Sequence, residues 1–135
     1  MENANIGKIT ESVLVWFFKG VKKKYMQNDI TAIKPELDML TKIIVNTVPV
    51  EQIYLFGSYA YGTPHKDSDY DLYIVMKDDA PMRELDAMDA MGLAIANVKT
   101  KATDLLALKL NRFLDRKTGP TLERTIAREG IKLYG

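Results

Sequence analysis

Residues 57–75 read Gly-Ser-Tyr-Ala-Tyr-Gly-Thr-Pro-His-Lys-Asp-Ser-Asp-Tyr-Asp-Leu-Tyr-Ile-Val, and this stretch decides the fold. It begins where a short apolar run, Ile53 to Phe56, stops at Gly57, as a buried strand does at a turn. It ends in Asp69 to Met76, where Tyr70, Leu72, Ile74 and Met76 alternate with Asp69, Asp71, Tyr73 and Val75. That period of two predicts a second strand. Side chains on a strand alternate between its faces, so Asp69 and Asp71 share one face while Tyr70 and Leu72 turn to the core. Two carboxylates so close repel unless a cation lies between them. Hard oxygen donors of this kind suit Mg²⁺, which one or two carboxylates and the phosphates of a substrate typically hold. Gly57 lets the backbone approach a phosphate or take a positive φ. Ser58 offers a hydroxyl and an N–H, and a short helix through Tyr59, Ala60 and Tyr61 would turn its N-terminus towards an anion before Gly62 ends it. Gly57 and Ser58 are therefore the candidate nucleotide-binding residues.

Outward from this stretch the elements alternate. Ile9 to Met26 is predicted helical, with Val13, Trp16, Phe17 and Val21 on one face, Lys22 to Lys24 at its end and a break at Asn28–Asp29. A second helix is expected from Pro35, with Leu37, Leu40, Ile44 and Val48 in helical register and Pro49 ending it. Pro81 opens a third helix, to about Asn97, in which Met82, Met88 and Met91 are read as core. A third strand falls within Val98 to Lys109, where Asp104 precedes Leu105-Leu106-Ala107-Leu108. Lys109 to Lys117 reads as a short helix, Gly119-Pro120 as a breaker, and Thr121 to Glu129 as a last helix stopped by Gly130. Charge pairing with Glu123 or Glu129 is the reading for Arg124 and Arg128, and His65 is an exposed loop residue. The expected architecture is mixed α/β (α+β): a small mixed sheet flanked by helices, with an extra N-terminal helix. Residues 1–30 are read as a helical extension and 31–135 as the main domain of a single compact unit.

Composition narrows the chemistry. With no cysteine and one histidine, thiol catalysis, Cys–zinc sites and His-rich metal sites are excluded. A net charge of +1 over 135 residues points to a local nucleotide site rather than a broad polyanion surface, and nucleic acid is not an expected partner. The apolar run Val13 to Phe18 is too short to span a bilayer, so a cytoplasmic protein without membrane contact is expected.

Gly-Ser, ten residues (59–68), then Asp-x-Asp resembles the nucleotidyltransferase motif of the DNA polymerase β-like superfamily. It is most similar to the minimal nucleotidyltransferases, small proteins often paired with HEPN-domain partners. The resemblance runs from about Glu51 through the ending Arg124 to Tyr134. It implies a third carboxylate on a later strand, matched by Asp104, so that Asp69, Asp71 and Asp104 would be both metal ligands and catalytic residues for two Mg²⁺ ions (or Mn²⁺), with Asp104 also helping to deprotonate the acceptor. It implies attack on the α-phosphate and transfer of a nucleoside monophosphate, AMP from ATP, to a hydroxyl: an adenylyltransferase acting as an antitoxin on a tyrosine of a HEPN toxin. At 135 residues there is no room for the added domains with which larger relatives hold tRNA, primers or aminoglycosides, so a protein acceptor is expected. The alternative is a non-catalytic nucleotide-binding module that works by capping its partner; self-association stays open. Tyr61 departs from the family, which often has a basic residue there; Lys66, or Arg112 and Arg116, would have to supply the charge.

Overall fold

The computed structural model describes residues 15–65 and 67–135, with side chains from residue 30 onward. The expected apolar face of Val13, Trp16, Phe17 and Val21, the lysines at 22–24 and the expectation for Lys66 lie outside the described residues and side chains. The elements run α1 (Val15–Thr47), β1 (Val50–Phe56), α2 (Ser58–Tyr61), β2 (Tyr70–Met76), α3 (Glu84–Ile95), β3 (Thr103–Lys109), α4 (Leu110–Arg116), α5 (Leu122–Glu129) and β4 (Ile131–Tyr134).

One helix stands where two were expected. α1 passes through Asn28 and Asp29 without a break and contains Pro35. An internal proline removes a hydrogen bond and costs roughly 3 kcal/mol. Packing outweighs that cost: Ile30, Ile33, Leu37, Leu40 and Ile44, spaced three or four apart, all meet the core on both sides of Pro35.

The four strands form one sheet in the order β3-β2-β1-β4. β1 pairs antiparallel with β2 and β4, whereas β2 and β3 are parallel. The parallel pair follows from α3, whose crossover returns the chain to the same end of the sheet. β4 was not expected from the sequence; at four residues, IKLY, its alternation is too short to stand out. The preceding glycine is also not a left-handed cap. Gly130 has φ −68 and ψ 158, and it must be glycine because a Cβ there would lie 2.7 Å from the Ile126 carbonyl oxygen.

Each sheet face has its own helical cover. On one, Ile53, Leu55, Tyr70, Leu72, Ile74 and Met76 pack under α1 and α3, with Met91 fully buried and Met82 and Met88 at the margin. On the other, Tyr54, Tyr73 and Val75 pack with Phe113 of α4 and Ile126 of α5. Asp71 lies on this second face, two residues before Tyr73. α4 and α5 cover the Tyr73–Val75 end of the face and leave the Asp71 end accessible. No helix among the described residues is long and apolar enough to cross a membrane.

Candidate active site

The turn after β1 takes the form its sequence suggests. Gly57 has φ 76 and ψ −155, a region that is essentially glycine-only, and α2 begins at once with Ser58. The Gly57 carbonyl accepts from the N–H groups of Ala60 and Tyr61, each at 3.0 Å, and Gly62, at φ 100, closes the turn. Tyr59 is buried, and its ring centroid is 5.4 Å from that of Tyr70, so the turn is docked onto the strand carrying the aspartates.

Gly57 lies directly against Asp71: a Cβ on Gly57 would fall 2.0 Å from Asp71 Oδ2. Asp71 is in turn the ladder partner of Asp104 across the parallel β2–β3 pair. The consequence is electrostatic. Burial, the Asp104 charge, a hydrogen bond with Asp104 and the Asp69 charge together push the Asp71 carboxyl up to about 6. Asp69 and Asp104 themselves are exposed, on the open side of the site. The loop before Asp69 is held from within, since the buried Ser68 hydroxyl accepts from the His65 N–H at 2.8 Å and the Asp67 N–H donates to His65 Nδ1 at 3.3 Å.

Among the described residues no three such side chains converge to hold one metal ion as they stand. The donor set nevertheless fits a hard divalent cation. It consists of carboxylates alone, one of them raised by burial and then by the charges of the other two, and a cation among them would relieve the charge part of that rise. Asp71 and Asp104 meet in register, and Asp69, just before β2, acts on Asp71 from two residues away along the chain.

Three participants were not legible in the sequence. Glu36 of α1 accepts from the Tyr70 hydroxyl at 2.7 Å and from both the N–H and the hydroxyl of Thr100. Burial alone would raise its carboxyl, but these hydrogen bonds and the Lys101 charge hold it below its ordinary value. Tyr70 sits between Asp69 and Asp71, and Thr100 lies in the segment entering β3, so Glu36 fixes one carboxylate strand against the other. Glu123 is the second. Only 6% exposed, it accepts from the Tyr73 hydroxyl at 2.7 Å and from Arg116 Nε at 2.9 Å, pinning α5 over the face that carries Asp71. This replaces the expected pairing of Glu123 with Arg124 or Arg128. The third is Glu84, which holds Arg112 at 3.0 Å. Arg112 and Arg116, the two arginines that were candidates for binding a triphosphate, each pair with a carboxylate, Glu84 and Glu123, while their own side chains stay largely exposed. Tyr61 adds no cation: burial and the charges of Glu129 and Asp71, against a hydrogen bond from the Gly57 backbone, push its phenol up, so it remains a neutral hydroxyl.

The fold is shared with known proteins. The polymerase beta, nucleotidyltransferase family model matches residues 38–135. A chain in the crystal structure of a mutant toxin–antitoxin MntA-HpeT is 24% identical, with a TM-score of 0.53, over 72% of this chain and 71% of that one. A chain in the crystal structure of a toxin–antitoxin with AMP-PNP is 23% identical, with a TM-score of 0.52, over 74% of this chain and 73% of that one. None of the curated proteins matches significantly. The family match spans everything from the second half of α1 to the last strand, including the Gly-Ser turn and all three aspartates, and the chain belongs to the polymerase β nucleotidyltransferase family.

Proposed function

We propose that the protein transfers AMP from ATP to a hydroxyl acceptor, and that the acceptor is a tyrosine of a HEPN-type toxin, which makes the chain its antitoxin. The observation that carries the transfer reaction is the meeting of Asp71 with Asp104 beside Gly57. It supports a site in which a triphosphate lies along the Gly57–Ser58 turn and its α-phosphate faces the carboxylates. The toxin reading is supported by the two structural neighbours, both described as toxin–antitoxin structures, one of them with AMP-PNP.

In this mechanism Asp69, Asp71 and Asp104 would hold magnesium, which when bound neutralises the triphosphate and makes the acceptor hydroxyl more acidic. The chain's own groups do the rest. The backbone N–H groups at the start of α2 and the Ser58 hydroxyl orient the phosphate tail as leaving group. Asp104, exposed on the edge strand, takes the proton of the incoming hydroxyl. Glu36 and Tyr70 keep β2 and β3 in the register that sets the in-line geometry.

One feature favours a second reading, a non-catalytic capping module: Tyr61, a neutral phenol, stands at the position where the family often has a basic residue. Incubation with α-labelled ATP, Mg²⁺ and the candidate toxin separates the two. Label on the toxin, lost in Asp69→Asn and Asp104→Asn, supports transfer. Neutralisation of the toxin by Asp69→Asn without label would establish capping instead.

A further inference from the structure

The Gly57 turn is flanked by a phenol that stands between two carboxylates. Tyr61 ends α2, and its N–H donates to the Gly57 carbonyl at 3.0 Å. Its phenol turns back onto the same residue and accepts from the Gly57 N–H. Gly57 in turn abuts Asp71 Oδ2, so the phenol lies across the glycine from that carboxylate. Glu129, the last residue of α5, stands on the other side. Ile131 pairs with Leu55, and a Cβ on Gly130 would lie 3.4 Å from the Leu55 carbonyl oxygen, which brings the end of α5 beside the strand that leads into Gly57. Among the described residues the charges acting on the phenol are those of Glu129 and Asp71, and no cation is among them. Arg124 and Arg128 are exposed on the side of α5 opposite the buried Ile126, and Arg112 and Arg116 reach to Glu84 and Glu123. Tyr61 itself is 37% exposed, so the phenol is open to whatever approaches the turn.

We propose that Tyr61, a neutral group between Asp71 and Glu129, makes nucleotide capture conditional on the divalent cation: the carboxylates take the metal by themselves, and the turn admits a triphosphate only as its metal complex. This rests on the reading above, in which the phosphate tail lies along the Gly57–Ser58 turn. A phosphate there meets two carboxylates and a phenol, with no positive side chain at position 61 to offset them, and like charges at such range repel. A metal-free triphosphate is therefore turned away. The same arrangement draws in a cation, because Asp69, Asp71 and Asp104 have Glu129 behind them and no positive side chain at position 61 to compete for them. Once bound, that cation reverses the sign of the field at the turn. Metal and tail are thereby linked, each binding better in the presence of the other. The phenol keeps its bond to the Gly57 N–H without adding the charge that would loosen this coupling.

Two titrations of the full chain, neither of them an activity, measure this: Mn²⁺ alone by paramagnetic resonance, and ATP in EDTA by calorimetry. The wild type should bind Mn²⁺ without nucleotide, and hold ATP roughly 100-fold more weakly in EDTA than in excess Mn²⁺. Tyr61→Arg should move the two Kd values in opposite directions, about tenfold each, weaker for Mn²⁺ and tighter for metal-free ATP. A variant that only damaged the turn would weaken both, and Glu129→Gln, at an exposed position, decides that case. It should shift both values in the same senses as the arginine, by about threefold. Equal ATP binding with and without metal in the wild type, no binding of Mn²⁺ alone, or values that stay put in either variant would each overturn the proposal. The opposite shifts without any label transferred from ATP would sink nucleotidyl transfer and leave this coupling standing.

Discussion

Gly57 and Asp71 touch so closely that a single methyl group on the glycine would lie 2.0 Å from Asp71 Oδ2. The two residues are on separate elements, the turn after β1 and the strand β2, yet they form one surface. Whatever the turn holds is held within contact distance of the carboxylate pair.

Gly57→Ala tests that contact. The substituted residue must leave φ 76, ψ −155 and push Asp71 aside, which costs about 1–3 kcal/mol of stability. Nucleotidyl transfer should fall by at least about 100-fold, because a displacement of about 1 Å is enough for that. Circular dichroism melts and a transfer assay measure the two effects separately. Retention of activity in a folded Gly57→Ala protein would show that the turn does not place the substrate.

Asp71→Asn should abolish transfer and yet raise the melting temperature of the metal-free protein at pH 7–8, by about 2–5 °C. The sign follows from the shift. Asp71 titrates near 6 in the folded chain against an ordinary 3.8, so the folded state binds more protons between those values. Wild-type stability therefore declines as pH rises through that window, and the penalty is complete above it. Asparagine carries no such penalty, so the gap between variant and wild type should close as pH drops below about 4. Melts in EDTA across pH 3.5–8 give the answer; a gap independent of pH would refute the electrostatic cause.

Glu123 carries the opposite sign. Burial alone would raise its carboxyl, but hydrogen bonds from Tyr73, its own backbone and Arg116, with the Arg116 charge, hold it below its ordinary value. Its contribution is complete above the unfolded value of 4.5 and is lost as pH falls through the lower folded one. Glu123→Gln should cost about 1–3 kcal/mol at pH 7, since a buried group loses a charged partner. Chemical denaturation at pH 7 and pH 3.5 should show that cost shrinking at the lower value.

Glu36→Gln should lower kcat by roughly tenfold with a smaller change in the KM for ATP, because Glu36 acts through Tyr70 and Thr100 rather than on the nucleotide. An equal loss in thermal stability and none in kcat would assign Glu36 to the fold alone.

Mg²⁺-ATP at about 100 times its Kd should stabilise the wild-type chain by about 2.7 kcal/mol, a rise on the order of 10 °C. Asp71→Asn and Gly57→Ala should lose most of that rise. Differential scanning fluorimetry with and without EDTA separates the metal-dependent part.

Much of the fold was written locally. The alternation in Tyr70 to Met76 and the stop at Gly57 placed the two central strands, and the last helix lies within the Thr121 to Glu129 read for it, where the structure adds that the Thr121 hydroxyl caps it by accepting from the Arg124 N–H at 3.2 Å. Local signals also misled where tertiary packing outweighed them. Pro35 and the pair Asn28–Asp29 read as boundaries, but all three lie inside α1, and at Pro35 the apolar stripe from Ile30 to Ile44, packed against the core on both sides of the proline, carries the helix through. β4 escaped notice because an edge strand of four residues gains its stability from pairing with β1, not from its own pattern.

For the site, the sequence alone determined what neighbours along the chain can determine: that Asp69 and Asp71 share a face, and that a glycine-serine turn precedes them. Only the tertiary structure decided that Asp104 stands beside Asp71, that Glu36 joins Tyr70 and Thr100 from 34 and 64 residues away, and that Arg112 and Arg116 pair with Glu84 and Glu123. The physical reason is the range of each effect. Strand alternation and turn geometry act over a few residues of backbone, whereas a parallel crossover and a buried hydrogen bond bring together groups whose separation in sequence carries no trace of their contact.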